Sequence, residues 1–413
     1  MDTAHADALS ARSRLDTRGW IPARNESFRH LPPPGADTWL GSATPSDQLT
    51  LAGTGWSLQC SSHTLQDAVQ AQWLDAAEPA QRAALFAGLE LPDTGDAAPF
   101  AWAHRALCRQ GLRLHVNPAD RSHTVWLQVQ YQATSAVEAP LLVVEVADGV
   151  RCVLVETHAS ALAPDAAGLT QNLHIHLHLG QGASLQHLRI STPAPQDHIA
   201  HHVHAQLGTQ ARYHQALIAS ACSYHLQRSH LLLDGAHASA RTAGLLFAAD
   251  AAMEQQVQTA HNAAHTDSHV EALVLGSGRA HAVVNAHTRI APGADEANVH
   301  QRLSGIPLAG QPRLILRPHL EIHHDKVQAA HGATWGALPE DALFYARQRG
   351  LDEASARALI IEGMATALLE RCFDDPATLA AATHDGLLVR TIAQHLSAGQ
   401  SPRIAATREP HHG

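Results

Sequence analysis

A chain of 413 residues with 45% hydrophobic and 16% charged residues can bury a large core or divide into two or three domains. Its formal net charge of −10, with basic residues scattered along the sequence, provides no footprint for phosphate backbones, so nucleic acid is not an expected partner. No apolar run reaches bilayer length, MDTAHADALSARSRLDTRGW lacks the apolar core of a secretory signal, and Cys60, Cys108, Cys152, Cys222 and Cys372 lie far apart without a CxxC. A cytoplasmic protein with reduced thiols and no membrane span is expected.

The first hundred residues read as helical and punctuated, broken at Pro32, Pro33 and Pro34 and again at LPDTGDAAP from Leu91. Between these breaks TLQDAVQAQWLDAAEPAQRAALFAGLEL has apolar residues at helical spacing. From about residue 112 the pattern changes to short alternating runs, among them LRLHV, TVWLQVQY, NLHIHLHLG, SYHLQRSHLLL and LILRPHLEI. Turns at Gly180, Gly182, Asp234, Gly235, Gly276, Gly278, Pro292 and Gly293 recur at intervals that favour a β-solenoid, with a large sandwich as the alternative.

Beyond residue 336 the helical period returns. Pro339 is placed to open a helix and Gly350 to stop it; Asp352 is a good N-cap for LDEASARALIIEGMATALLERCF, and a third helix follows Asp375 and Pro376. Ala356, Leu359, Ile360, Gly363, Met364 and Ala367 form one stripe, which on sequence alone packs against a neighbouring helix of the same chain. The tail from Gln400 is polar and reads as frayed. The expected division is a helical domain over 1–110, a β core over 111–335 and a helical domain over 336–413.

Lys326 is the single lysine, and Val327 follows it with no glycine before it, so a Walker A loop is excluded. There is also no GxSxG, HExxH, helix-opening GxGxxG or tight carboxylate pair. Among 33 histidines, His174, His176 and His178 alternate along one strand face, a pattern able to hold Zn²⁺ or Ni²⁺. The leucines at 173, 177 and 179 already supply a buried face, so these histidines are expected on a solvated one. His323, His324 and His331 form a second cluster, whose surroundings favour function more.

The segment LEIHHDKVQAAHGATWGALPEDALFYARQRGLDEASARALIIEGM resembles the carboxy-terminal signature of the SufD family, components of the SUF iron–sulfur cluster assembly system. Weaker collinear similarity covers GWIPARNESFRHL and the stretch from HTDSHVEALVLG to RLSGIPL. The SufB paralogues share the solenoid but usually carry Glu-Ala-Thr where this chain has Gly332, Ala333 and Thr334, and they have a longer amino-terminal region. The resemblance implies a right-handed parallel β-helix with helical terminal domains, pairing with SufB through β-helix edges. It implies docking of the ATPase SufC on the carboxy-terminal helices, with Phe344, Tyr345, Arg347, Arg349, Leu359, Ile360, Gly363 and Met364 as candidate contacts.

By the same resemblance His331 aligns with a histidine implicated in cluster assembly at the SufB interface, with Glu321, His323 and His324 as weaker candidates. Ala329 stands where many members have cysteine, so no thiolate is available there. The implied protein is a non-catalytic scaffold with no permanent cofactor, sharing a transient Fe–S cluster with its partner and able to form a homodimer when alone. A β-helix enzyme acting on polysaccharide and a SufB-type paralogue are the alternatives.

Overall fold

The computed structural model describes residues 3–41, 55–60, 68–92, 95–133, 135–159, 168–383 and 386–398. The expected frayed tail from Gln400 lies outside them. The alternating runs wind into a mainly β solenoid of about eight turns with helices at the termini. One sheet passes from Trp56–Cys60 through Val125–Gln132, Arg151–Ala159, Ser184–Ser191, Arg212–Ser220, Ser239–Ala249, Asp267–Gly278 and Asn298–Gly310 to Gln328–Trp335. The other passes from Val69–Asp75 through Gln110–Val116, Leu141–Val146, Thr170–Leu179, His198–Leu207, Tyr224–Leu233, Ala252–His261 and His281–Ile290 to Arg313–Ile322. The short strand Val137–Glu138 pairs beside this path with Thr170–Leu179.

Coil-to-coil pairing is parallel and in register, so each residue stacks on its counterpart one turn away, as Leu217 does on Gly244. The turns repeat as well. Gly182, Gln210, His237, His265 and Glu296 all take positive φ at one corner. Their amides donate along the stack: Gly182 to the Thr209 carbonyl, Gln210 to Ala236, His237 to Ala264, His265 to Asp295 and Glu296 to Lys326. Left-handed backbone is costly for side-chain-bearing residues, and here the ladder of amide bonds holds it.

Both strand faces are largely buried, which explains runs such as HIAHHVHAQL that are apolar on neither face alone. Inward residues such as Leu173, Ile175, Leu185, Val203, Leu217 and Leu246 fill the space between the sheets. Outward residues of the first sheet, Leu188, Ile218, Leu245, Phe247 and Leu275, pack under Ile361, Ala365, Leu368, Leu369 and Ile392 of the carboxy-terminal helices. Outward residues of the second, Ala200, Tyr224, Leu226 and Val283, pack under Ile21, Phe28, Trp39 and Phe100. The two helical regions therefore clad opposite faces.

The helical expectation for the TLQDAVQAQWLDAAEP stretch fails in part. Val69–Asp75 is a strand, antiparallel to Gln110–Val116, and only Pro79–Leu85 is α-helix among the described residues of this stretch, residues 64–67 lying outside them. Strand pairing overrode the local period because Val69 to Asp75 closes the end of the second sheet, while Trp56–Cys60 closes the first, antiparallel to Val125–Gln132. At the opposite end the stack finishes on parallel strands. Among the described residues Gln328–Trp335 pairs only with Asn298–Gly310, and Arg313–Ile322 only with His281–Ile290.

The carboxy-terminal punctuation behaves as expected. Helices span Glu340–Gln348, Glu353–Cys372, Pro376–Thr383 and Leu387–Ala398, the Asp352 carboxylate accepts the Ser355 amide at 2.7 Å, and Gly350 takes φ +89°. The stripe read from sequence is displaced, however. The buried face of Glu353–Cys372 is Ala356, Ile361, Ala365, Leu368, Leu369 and Cys372, because the sheet below it, and not a hairpin partner alone, chooses the face.

Candidate functional site

The open end carries the residues singled out at the carboxy-terminal signature. Along Asn298–Gly310 the inward positions are Val299, Gln301 and Leu303, and these pair with Ala329, His331 and Ala333. His331 thus lies on the lumen side of the last strand, exposed because no further coil covers it among the described residues, and its imidazole has no hydrogen-bond or ion-pair partner among them. Below it Gln301 Nε2 donates to Thr288 Oγ1 at 2.9 Å and to the His319 carbonyl at 3.2 Å, while Gln301 Oε1 is buried without a hydrogen-bond partner among the described residues, so the floor of the opening is polar. Ala329 shares the face of His331 two residues away.

His323 and His324 are differently employed. His323 Nε2 contacts Glu321 Oε1 at 2.6 Å, and Glu321 also meets His287 Nε2 at 3.4 Å. The hydrogen bond from His323 holds the Glu321 carboxyl below its usual value. His324 pairs with Asp295. Among the described residues these two do not join His331 in a three-ligand cluster.

Beside this opening lies an exposed apolar set. Phe344 is 65% exposed, Tyr345 59%, Trp335 58%, Leu359 54% and Ile322 45%. The Arg349 guanidinium sits 3.4 Å from the Tyr345 ring centroid, and Arg347 is exposed on the same helix. Ile360 and Met364 are half-buried against the chain's own core. Gly363 is exposed with open space where a Cβ would point, so among the described residues no backbone outside its own helix approaches that position within 4 Å.

The strand histidines overturn their expected placement. His174 is buried and His176 and His178 half-buried, because the Ala98–Leu107 helix and the segment before it cover the outer face of the second sheet. His202 and His204 stack one coil on, with ring centroids 4.5 Å from His174 and 4.8 Å from His176, respectively. The sequence reading missed these partners. The signal was the repetition of the alternating pattern of HIHLH in HHVHA, which coil-to-coil register superimposes.

A third polar group lies between the sheets. Glu156 is fully buried and accepts from Arg189 Nε and Nη2, both at 3.3 Å, from His187 Nε2 at 2.9 Å, and from His158. Arg189 Nη1 also reaches Gln227 Oε1 at 3.0 Å. Burial alone would raise the Glu156 carboxyl, but the Arg189 charge and the histidine contacts outweigh it and hold it well below the usual value. Burial pushes the Cys108 thiol up to about 12, and all five cysteines are free, matching the expected lack of disulfides.

The architecture is a β-solenoid clad by helices on both faces, finishing on antiparallel strands at one end and parallel strands at the other. The family model for the SUF system FeS cluster assembly SufBD core domain matches residues 129–364, more than half of the chain, and the protein belongs to that family. That family is described as one of iron–sulfur cluster assembly in the SUF system. The chain is 26% identical over 260 residues to an iron–sulfur cluster assembly SufBD family protein of Synechocystis, covering 60% of this chain and 56% of that one. It is 24% identical over 236 residues to the iron–sulfur cluster assembly protein SufD of Escherichia coli, covering 56% and 54%. The matches thus span about half the length of these relatives.

Proposed function

We propose that this chain is a SufD-type, non-catalytic scaffold subunit that pairs with a SufB homologue across its open last coil and docks the ATPase SufC on the helices that follow. The observation that carries this reading is the uncovered edge of both sheets, with His331 at its mouth and an exposed apolar set beside it. An unpaired strand edge is a ready template for another chain, and a solenoid is extended by stacking a further coil. The absence of a Walker A loop fits a subunit whose ATP hydrolysis is performed by a partner. The cluster is cargo in this reading, formed transiently with the partner and not a resident cofactor. His331 would offer iron an imidazole, a legitimate ligand type in cluster chemistry, and Ala329 leaves any thiolate to the partner. The cytoplasm, with reduced thiols, is the compartment proposed.

Co-expression with SufB and SufC homologues, followed by size-exclusion chromatography with iron and sulfide analysis, tests this. A ternary complex that accumulates cluster is expected. His331→Ala should leave the complex intact and lower its cluster content; wild-type cluster content in that variant removes the ligand role. A chain that ignores both partners and stays monomeric or pairs only with itself refutes the scaffold reading.

A further inference from the structure

The histidine-lined cleft between the amino-terminal helices and the second sheet lies away from the open coil, and the scaffold role makes no use of it. Parallel in-register stacking puts His202 on His174 and His204 on His176, so imidazoles from two successive coils meet on one face. One ring nitrogen from each of His174, His176 and His204 lies within 4.8 Å of the others. They border a cleft of about 410 Å³ under Phe86, Leu89 and the Ala98–Leu107 helix. His104 also faces it but is committed, its Nε2 lying 3.0 Å from the Pro140 carbonyl. The charged residues on the walls balance, Glu90 and Asp96 against Arg105 and Arg228.

We propose that His174, His176 and His204 form a binding site for a divalent cation that prefers imidazole, with Zn²⁺ as the type ion. Three neutral nitrogen donors with neither thiolate nor carboxylate suit Zn²⁺, Ni²⁺ or Cu²⁺ and not Mg²⁺ or Ca²⁺, which take oxygen. Three protein ligands leave the fourth tetrahedral position to water from the cleft. Zn–N bonds of about 2.0–2.1 Å place tetrahedral nitrogens about 3.3 Å apart, so seating the ion draws the nitrogens together by about 1.5 Å at most and turns the near-parallel rings until their in-plane lone pairs converge. Rotation about the side-chain bonds supplies both the shift and the turn. Stacking alone explains the parallel rings, whose planes differ by 15° between His174 and His204. It does not explain His174 Nε2, which is buried with no hydrogen-bond partner. An unsatisfied buried polar atom costs about 1–3 kcal/mol, and a metal ion is a partner that removes that cost.

The test is Zn²⁺ titration of the chelator-stripped full chain by calorimetry, with Co²⁺ spectroscopy in parallel, and it needs no SUF partner. One tight equivalent with tetrahedral Co²⁺ bands is expected. In His176→Gln/His204→Gln, affinity should fall by about 100-fold or more, beyond the 10–100-fold typical of outer-shell changes. The control His237→Gln/His265→Gln, which alters an exposed stacked pair 4.7 Å apart at the corner, should keep the tight site. Weak binding only in the wild type, or equal loss in both variants, overturns the site. Anomalous diffraction at the zinc edge from wild-type crystals gives a reading independent of variant folding: a peak among the three imidazoles supports the site, and zinc found only elsewhere refutes it.

Discussion

Replacing Glu156 with glutamine probes what holds the two sheets in register where the lumen turns polar. The substitution keeps shape but turns an amide toward Arg189, His187 and His158, and it leaves a guanidinium whose side chain is 2% exposed without its counter-charge. Removing one partner of a buried ion pair costs about 3–5 kcal/mol. Gln227 Oε1 at 3.0 Å still accepts from Arg189, so a loss of about 3 kcal/mol, the lower end, is expected. Adding Arg189→Met removes the stranded charge and should recover about half of that loss or more. Urea unfolding followed by tryptophan fluorescence reads both effects. The pH dependence has a definite sign, because the folded-state carboxyl lies below its unfolded value of 4.5. Its contribution is complete above that value and is lost as pH falls below it, so the gap between wild type and Glu156→Gln should hold from pH 7 to about 5 and then shrink. A single-variant loss below about 1 kcal/mol, or a double variant no better than the single, refutes the reasoning.

Glu254 should respond to pH in the opposite sense. Burial pushes its carboxyl up to about 8, so the unfolded chain releases a proton that the folded chain keeps, and stability falls as pH rises from 4.5 to that value. Glu254→Gln should therefore raise the urea midpoint more at pH 8 than at pH 5; equal shifts contradict this. Gly235→Ala places a Cβ 2.0 Å from the Thr209 amide nitrogen of the preceding coil and should cost about 1–3 kcal/mol, whereas Gly332→Ala, which meets nothing within 4 Å, should stay within about 0.5 kcal/mol of wild type by the same denaturation assay. Phe344→Asp or Leu359→Asp should leave the melting temperature unchanged and weaken capture of a SufC homologue in a pull-down; undiminished capture removes these residues from the docking surface. Ile360 and Met364 are poorer probes, because charge there also disturbs the chain's own core.

Period two and recurrent glycine turns made the solenoid legible, since a stacked coil repeats its turn chemistry. The terminal strand Val69–Asp75 was not legible because its pairing partner, Gln110–Val116, imposes extended structure on a segment whose apolar spacing is helical. The stripe on Glu353–Cys372 was displaced for a related reason: a helix with apolar residues on more than one face does not reveal which the tertiary contact will take. His331 was singled out through its motif, whereas the closeness of His204 to His174 was hidden, because that neighbourhood is created by coil register and by a helix from a distant part of the chain. The Glu156 network was invisible as well, its members being spread over strands that meet only inside the lumen.

The two ends of the solenoid differ in the direction of their last strands. One terminus finishes on the antiparallel strands Trp56–Cys60 and Val69–Asp75, the other on the parallel strands Gln328–Trp335 and Arg313–Ile322. Among the described residues each of these four strands pairs on one side only. A further coil wound in the same sense continues the register at the second end, whereas the reversal of chain direction at the first interrupts it, so the two ends present different templates to an incoming strand.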